Sequence, residues 1–69
     1  MEVMKMKLNK LLRVLQSIDF NFNYIVNRKG EFETISHTIK KFDCSKILVD
    51  QVRTGNEGTI WINVKEFIK

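Results

Sequence analysis

The spacing of hydrophobic and polar residues changes several times along this chain, and each change marks a predicted element. In the first part of the chain, apolar residues recur at the three- and four-residue spacing of one helix face: Met4, Leu8, Leu11, Leu12, Leu15 and Ile18. Lys5, Lys10 and Arg13 fall on the opposite side of this helix. The pattern therefore predicts an amphipathic helix with a basic outer face that ends near Asp19.

The next part of the chain predicts a β-hairpin. From Phe20 to Asn27 the residues alternate strictly, which is typical of a strand with one buried face. One face of that strand carries Phe20, Phe22, Tyr24 and Val26. Residues 27–30 (Asn-Arg-Lys-Gly) supply turn chemistry, and a second strand over residues 31–37 completes the hairpin with an irregularity near Thr34. Residues 38–45 favour a short helix or a wrapped connection.

The densest aliphatic block lies in two β-rich runs that a glycine-bracketed turn joins. Strands are predicted from Val49 to Arg53 and from Thr59 to Val64, with a turn at residues 54–58. On the last strand, Ile60, Ile62 and Val64 lie on one face, and Thr59, Trp61 and Asn63 lie on the other. The predicted fold class is α+β: one N-terminal amphipathic helix packed on a mainly antiparallel sheet of about four strands, arranged as two hairpins. Residues 1–69 form a single domain.

A competing interpretation of residues 34–64 predicts a helix-turn-helix. Here residues 34–42 form a helix, residues 43–45 a tight turn and Lys46 to Arg53 a recognition helix. With residues 59–67 as a wing, this half of the chain resembles the small phage excisionases, which implies a DNA-binding regulator. Under this alternative the nucleic-acid contacts come from basic side chains: Lys5, Lys10, Arg13, Lys46 and Arg53.

The sheet interpretation carries a resemblance of its own. The Lys-Leu-rich segment 7–12, the hairpin 25–30, the segment 49–52 (Val-Asp-Gln-Val) and the closing Ile-x-Ile-x-Val strand resemble the small α+β accessory proteins of bacterial phages and mobile elements. This similarity of pattern runs over nearly the full length. It implies an accessory factor that inhibits or regulates a larger host or defence protein by docking on it, and it identifies no catalytic or binding residue.

Composition limits what such a chain can do. A chain of 69 residues buries only about 60% of the surface that it exposes when unfolded. With one Cys it can form no intrachain disulfide, and with one His a complete zinc ligand set would have to come mostly from carboxylates or a second chain. A homodimer is one way to gain buried area. The net charge of +4 lies mainly in residues 1–13, which contain four basic residues and one Glu.

The sequence also indicates a location. The first residues lack the continuous apolar region of a signal peptide, and no run approaches the roughly 18 apolar residues of a membrane span. We therefore expect a cytoplasmic protein without a membrane partner, with Cys44 reduced.

Candidate chemistry is sparse, so we expect a non-enzymatic protein without cofactor or metal. His37 has no nucleophile to activate, and Asp43 should raise the pKa of the neighbouring Cys44. If Ile60 and Ile62 meet the helix, Trp61 is left on the outer face of the sheet. The predicted protein-binding residues are those of this face and of the adjoining turn: Trp61, Thr59, Asn63, Arg28 and Lys29.

Overall fold

The computed structural model describes residues 6–65, which form two helices on one side of a four-stranded sheet. The elements in chain order are α1 (Leu8–Val14), β1 (Tyr24–Val26), β2 (Phe32–Thr34), α2 (Ile35–Lys41), β3 (Val49–Thr54) and β4 (Ile60–Val64). Short 3-10 turns occupy Cys44–Lys46 and Asn56–Gly58. One apolar cluster joins both helices to the sheet: Leu8, Leu11, Leu12, Ile25, Ile35, Ile47, Val49, Ile62 and Val64.

The α+β class is confirmed, with a sheet that is mixed rather than strictly antiparallel. Its strand order is β2-β1-β4-β3. The two outer pairs, β1 with β2 and β3 with β4, are the predicted antiparallel hairpins. The central pair is parallel, with Ile25 opposite Ile62, and it joins the two hairpins into one sheet. A parallel pair needs a crossover connection, which α2 and the residues after it provide.

The N-terminal helix is shorter than predicted. Its apolar stripe is buried as expected, but the helix ends at Val14, and the chain then turns through a bond from the Ile18 N–H to the Leu15 carbonyl (2.9 Å). Leu15 and Ile18 reach the core from this turn. Lys7, just before the helix, is extended and pairs with Leu48. Met4 and Lys5 lie outside the described residues.

The strand predicted from Phe20 begins only at Tyr24. The Phe22 N–H donates to the Asp19 carbonyl (3.1 Å), and the Asn21 N–H donates to the Asp19 carboxylate (2.9 Å), so residues 19–22 form a turn. Ile25 belongs to the core, whereas Phe22, on the other face of the predicted strand, is 67% exposed. Alternation alone does not say which face is covered.

A second helix replaces the end of the second predicted strand. The Thr34 hydroxyl accepts a hydrogen bond from the His37 N–H (3.1 Å), which caps α2 and stops β2. Thr38 is fully buried in this helix, and its hydroxyl donates to the Thr34 carbonyl (3.0 Å). The helix that the competing interpretation placed at residues 34–42 is therefore correct.

The recognition helix of that interpretation is wrong. Lys46 ends a 3-10 turn, and the following segment is strand β3, in which Val52 pairs with Ile62 and Arg53 with Trp61. Three β-branched residues in β3 and a short turn to β4 favour the strand. The hairpin predicted over residues 49–64 is thus confirmed to within one residue at its strand ends.

Candidate functional site

The face of the sheet that points away from both helices is the candidate site. Ile25 and Ile62 belong to the core, and because side chains alternate along a strand, their neighbours Tyr24 and Trp61 point the other way. We call this side the outer face. No helix of the described residues packs on it.

Three aromatic rings meet on the outer face, and we call Tyr24, Phe32 and Trp61 the aromatic cluster. Tyr24 and Trp61 are partners across the parallel pair, and their rings stack with centroids 4.6 Å apart at 21°. Phe32, on β2, stands edge-on to both rings at 5.8 and 5.5 Å. It remains 58% exposed. Three adjacent strands therefore present one apolar patch.

The Trp61 ring packs closely against the backbone of Gly55. A Cβ atom added at Gly55 would lie 2.5 Å from the indole Nε1 of Trp61 and 2.9 Å from its Cδ1. Since real Cβ atoms do not approach that closely, only glycine lets the turn pass beside this ring. The Gly55 N–H donates to the Thr59 carbonyl (2.6 Å), which closes the turn at this point.

A buried amide fixes the strands that carry the cluster. The Asn23 side chain is almost fully buried; its Nδ2 donates to the Asp19 carbonyl and its Oδ1 accepts the Ile60 N–H, both at 2.7 Å. Its main-chain carbonyl accepts the Ile35 N–H (2.9 Å). Asn23 thus links the starts of β1, β4 and α2, and it sets Tyr24 beside Trp61.

Polar residues border the cluster. Asn63, two residues beyond Trp61, accepts a hydrogen bond from the Nε of Arg53 (3.0 Å), and Arg53 lies opposite Trp61 across β3 and β4. Thr59 is half-buried just before β4 and donates its N–H to the Asn56 carbonyl. Among the residues predicted to bind protein, the structure places Trp61 and Asn63 on one face, with Thr59 at its end.

A basic turn adjoins the opposite end of this face. The Asn27 Oδ1 accepts the N–H groups of Lys29 (2.9 Å) and Glu31 (3.0 Å), which shapes the hairpin turn and leaves the Arg28 and Lys29 side chains exposed. With Lys65, these residues line a depression of about 330 Å³. We use "basic turn" for Arg28, Lys29 and Lys65. The predicted neighbours Arg28 and Lys29 therefore adjoin the Asn63 end of the outer face.

The basic residues of the DNA-binding alternative do not converge. Arg53 lies on the outer face, whereas Lys10 and Arg13 are exposed on α1, on the other side of the sheet. Lys46 ends the 3-10 turn that precedes β3, and Lys5 lies outside the described residues. Within the described residues, these basic side chains therefore form no continuous surface that could contact DNA.

Cys44 and His37 are the reactive side chains that the sequence singles out. Burial, with a smaller contribution from the Asp43 carboxylate, raises the pKa of Cys44 and so disfavours its thiolate. The His37 imidazole is exposed and lies 3.7 Å from the Glu33 carboxylate. Residues 6–65 contain no group of three His, Cys, Asp or Glu side chains that could hold a metal.

Sequence reasoning found Trp61 but missed its two aromatic neighbours. Tyr24 was assigned to a face with Phe20 and Phe22, and the parallel pairing that brings it to Trp61 was not predicted. The available signal was that Tyr24 and Trp61 each flank an aliphatic residue that the core needs, Ile25 and Ile62.

Comparisons with known proteins add no relative to this description. Protein-family models, curated proteins and solved structures yielded no significant match to the chain. The resemblances to phage accessory proteins and to excisionases therefore stay predictions from the residue pattern. Between residues 6 and 65, neither helix is long and apolar enough to cross a bilayer.

Proposed function

We propose that this protein is a small non-enzymatic binding protein that docks on a larger protein through its outer sheet face. The aromatic cluster carries the proposal, because three packed rings lie on a sheet face that neither described helix covers. Clustered exposed aromatic side chains are the usual anchors of protein interfaces. Phe32 at 58% exposure and Trp61 beside it would lose further surface to a partner.

The ring geometry favours a protein partner over single-stranded nucleic acid. Platforms that bind single strands offer open ring faces on which bases stack. Here Tyr24 and Trp61 stack on each other, so each ring has one face occupied. Phe32 stands at 86° and 73° to these rings and presents an edge between them. Rings in mixed orientations suit the insertion of apolar side chains.

Within this proposal the protein acts in the cytoplasm as a phage or mobile-element accessory factor, and docking inhibits or regulates a host or defence protein. The support is the resemblance of the residue pattern to the small α+β accessory proteins, together with the small size of the chain. The excisionase-like alternative loses support, because residues 49–54 are a strand rather than part of a recognition helix.

Site-specific photo-crosslinking tests the docking face. A benzophenone amino acid replaces Phe32 on the outer face or, as a control, Val14 on α1, which is 71% exposed. In a lysate of the source organism, we expect a crosslink to a larger protein from position 32 and none from position 14. Equal crosslinking from both positions, or none from position 32, would contradict the proposal. A crosslink at twice the mass of the chain would instead show a homodimer on this face.

The affinity for the purified partner gives the second measurement. Trp61→Ala should weaken binding at least tenfold, because truncating an interface anchor costs about 2 kcal/mol or more. Circular dichroism checks that the variant is folded. Val14→Ala should leave the affinity unchanged. If Trp61→Ala is folded and binds normally, this site is wrong.

A further inference from the structure

We infer that the partner presents an acidic surface around an apolar side chain, and this inference rests on the docking proposed above. The strand register shows which side chains the partner meets. The paired strand positions that alternate with the core residues are Tyr24, Val26, Phe32, Thr34, Gln51, Arg53, Trp61 and Asn63, and all of them except the buried Val26 have surface to offer. These paired positions contain an arginine and no carboxylate, and one carboxylate, Asp50, lies unpaired beside them at the bulge of β3.

The basic turn extends this positive character beyond the strands. Arg28, Lys29 and Lys65 border one depression, and Lys65 follows the inward-facing Val64, which places it on the outer side. Three neighbouring cations favour a carboxylate-bearing surface on the partner.

Among residues 6–65, the nearby acidic groups form no ion pair with these cations. Glu31 accepts a hydrogen bond from the Asn27 side-chain amide (2.8 Å) and is not among the residues that line the depression. Glu57 lies in the turn at the opposite end of β4, and Asp50 lies in the irregular step of β3, where the register shifts. Neither of these two residues lines the depression of the basic turn.

The distance between the aromatic cluster and the basic turn further defines the partner. Trp61 and Lys65 are four residues apart, which is about 13 Å along an extended chain. A partner segment that fits both features carries an apolar side chain for the aromatic cluster and a carboxylate about 13 Å away. Charge complementarity also argues against a second copy of this chain, because its outer face has the same sign.

Selection from a library of displayed random peptides of about twelve residues tests the inference, since such peptides can span this distance. On the wild-type protein we expect enriched peptides to pair an aromatic or aliphatic residue with Asp or Glu. When the selection is repeated on the Arg28→Glu/Lys29→Glu variant, the enriched peptides should no longer contain these acidic residues. The control is Lys10→Glu/Arg13→Glu on α1, which makes the same charge change on the other side of the sheet and should keep them.

A binding measurement follows with the most enriched peptide. Trp61 is the only tryptophan, so its emission reports binding within the cluster. We expect about tenfold weaker binding by the Arg28→Glu/Lys29→Glu variant, with the loss reduced at high salt. Enrichment without acidic residues, or an equal loss in the α1 control, would overturn the inference. If single-stranded oligothymidine binds more tightly than the peptide, the partner class is nucleic acid and the inference is wrong.

Failure of the inference and failure of the docking proposal give different results. If neutral apolar peptides bind the wild type and not the Phe32→Ser variant, the proposed docking face is supported and the acidic partner is contradicted. If the peptides bind the Phe32→Ser variant as well as the wild type, both the docking face and the acidic partner are contradicted. The same conclusion follows if no peptide is enriched on the wild type.

Discussion

The two faces of the sheet use the same strands for different purposes. On the inner face, Ile25 and Ile62 are fully buried under the helices, whereas Tyr24 and Trp61, one residue away on each strand, stay partly exposed. The fully buried positions of the inner face are branched aliphatic side chains, which fill a core in few conformations. The outer face carries large rings that still have surface to bury. Substitutions on the inner face should therefore change stability, and those on the outer face should change binding.

The largest expected effect comes from opening the inner face. Ile62→Ala should lower the free energy of unfolding by about 2–5 kcal/mol, because the lost methyl groups leave a cavity in a fully buried site. That is a large share of the stability of a domain this size. Phe32→Ala, on the exposed outer face, should cost less than about 1 kcal/mol. Chemical denaturation followed by circular dichroism measures both values.

The matched pair also shows how the comparison could fail. If Phe32→Ala destabilises the chain as much as Ile62→Ala, the aromatic cluster is a second core and its rings are not free for a partner. Reduced cooperativity in the Phe32→Ala transition would point the same way.

How much of this arrangement the sequence reveals depends on the range of the contacts. The hairpin of β3 and β4 is local, and its alternation and glycine-bracketed turn predicted it. The parallel pairing of Ile25 with Ile62 joins distant parts of the chain. No local pattern encodes that contact, and it depends in part on the buried amide of Asn23.

The error at α2 has a local origin. The segment from Thr34 to Lys41 alternates too weakly to separate strand from helix, and the Thr34 cap decides it through one hydrogen bond. At the site, alternation correctly set Trp61 on the face opposite Ile62. Tyr24 and Phe32 reach it only through the tertiary pairing, so the cluster could not be predicted from local residues.

A substitution at Gly55 disturbs the outer face without touching the inner face. Gly55→Ala should displace the Trp61 ring, because the new Cβ would lie 2.5 Å from its Nε1. We expect a loss of about 1–3 kcal/mol, the usual cost of overpacking, together with a shifted Trp61 emission and weaker partner binding. Gly30→Ala is the control, since Gly30 has φ +84° and open space around it. It should cost about 1–2 kcal/mol through backbone strain and leave the emission unchanged. An unshifted emission in Gly55→Ala would show that the ring is not confined by this turn.

The smallest expected effect lies on the helix side, at the 3-10 turn that precedes the buried Ile47. The Ser45 hydroxyl (2.6 Å) and the Ser45 N–H (3.0 Å) both donate to the Asp43 carboxylate, and these bonds lower the pKa of Asp43 below its ordinary 3.8. A carboxyl group with a lowered pKa stabilises the fold above its unfolded pKa, and this contribution disappears as the pH falls through the folded pKa. The loss should therefore occur below about pH 3.8 and stay small, because the carboxylate is exposed to water.

Ser45→Ala removes the largest cause of that shift, so the pKa of Asp43 should rise toward 3.8. An NMR titration of the Asp43 carboxyl carbon measures it, and denaturation at several pH values should show wild type and variant converging in acid. Trp61 emission is the internal control and should not follow this titration, because the turn contacts the helix layer rather than the aromatic cluster. If the emission did follow it, the two faces would be coupled through the sheet, and the separation of stability from binding would not hold.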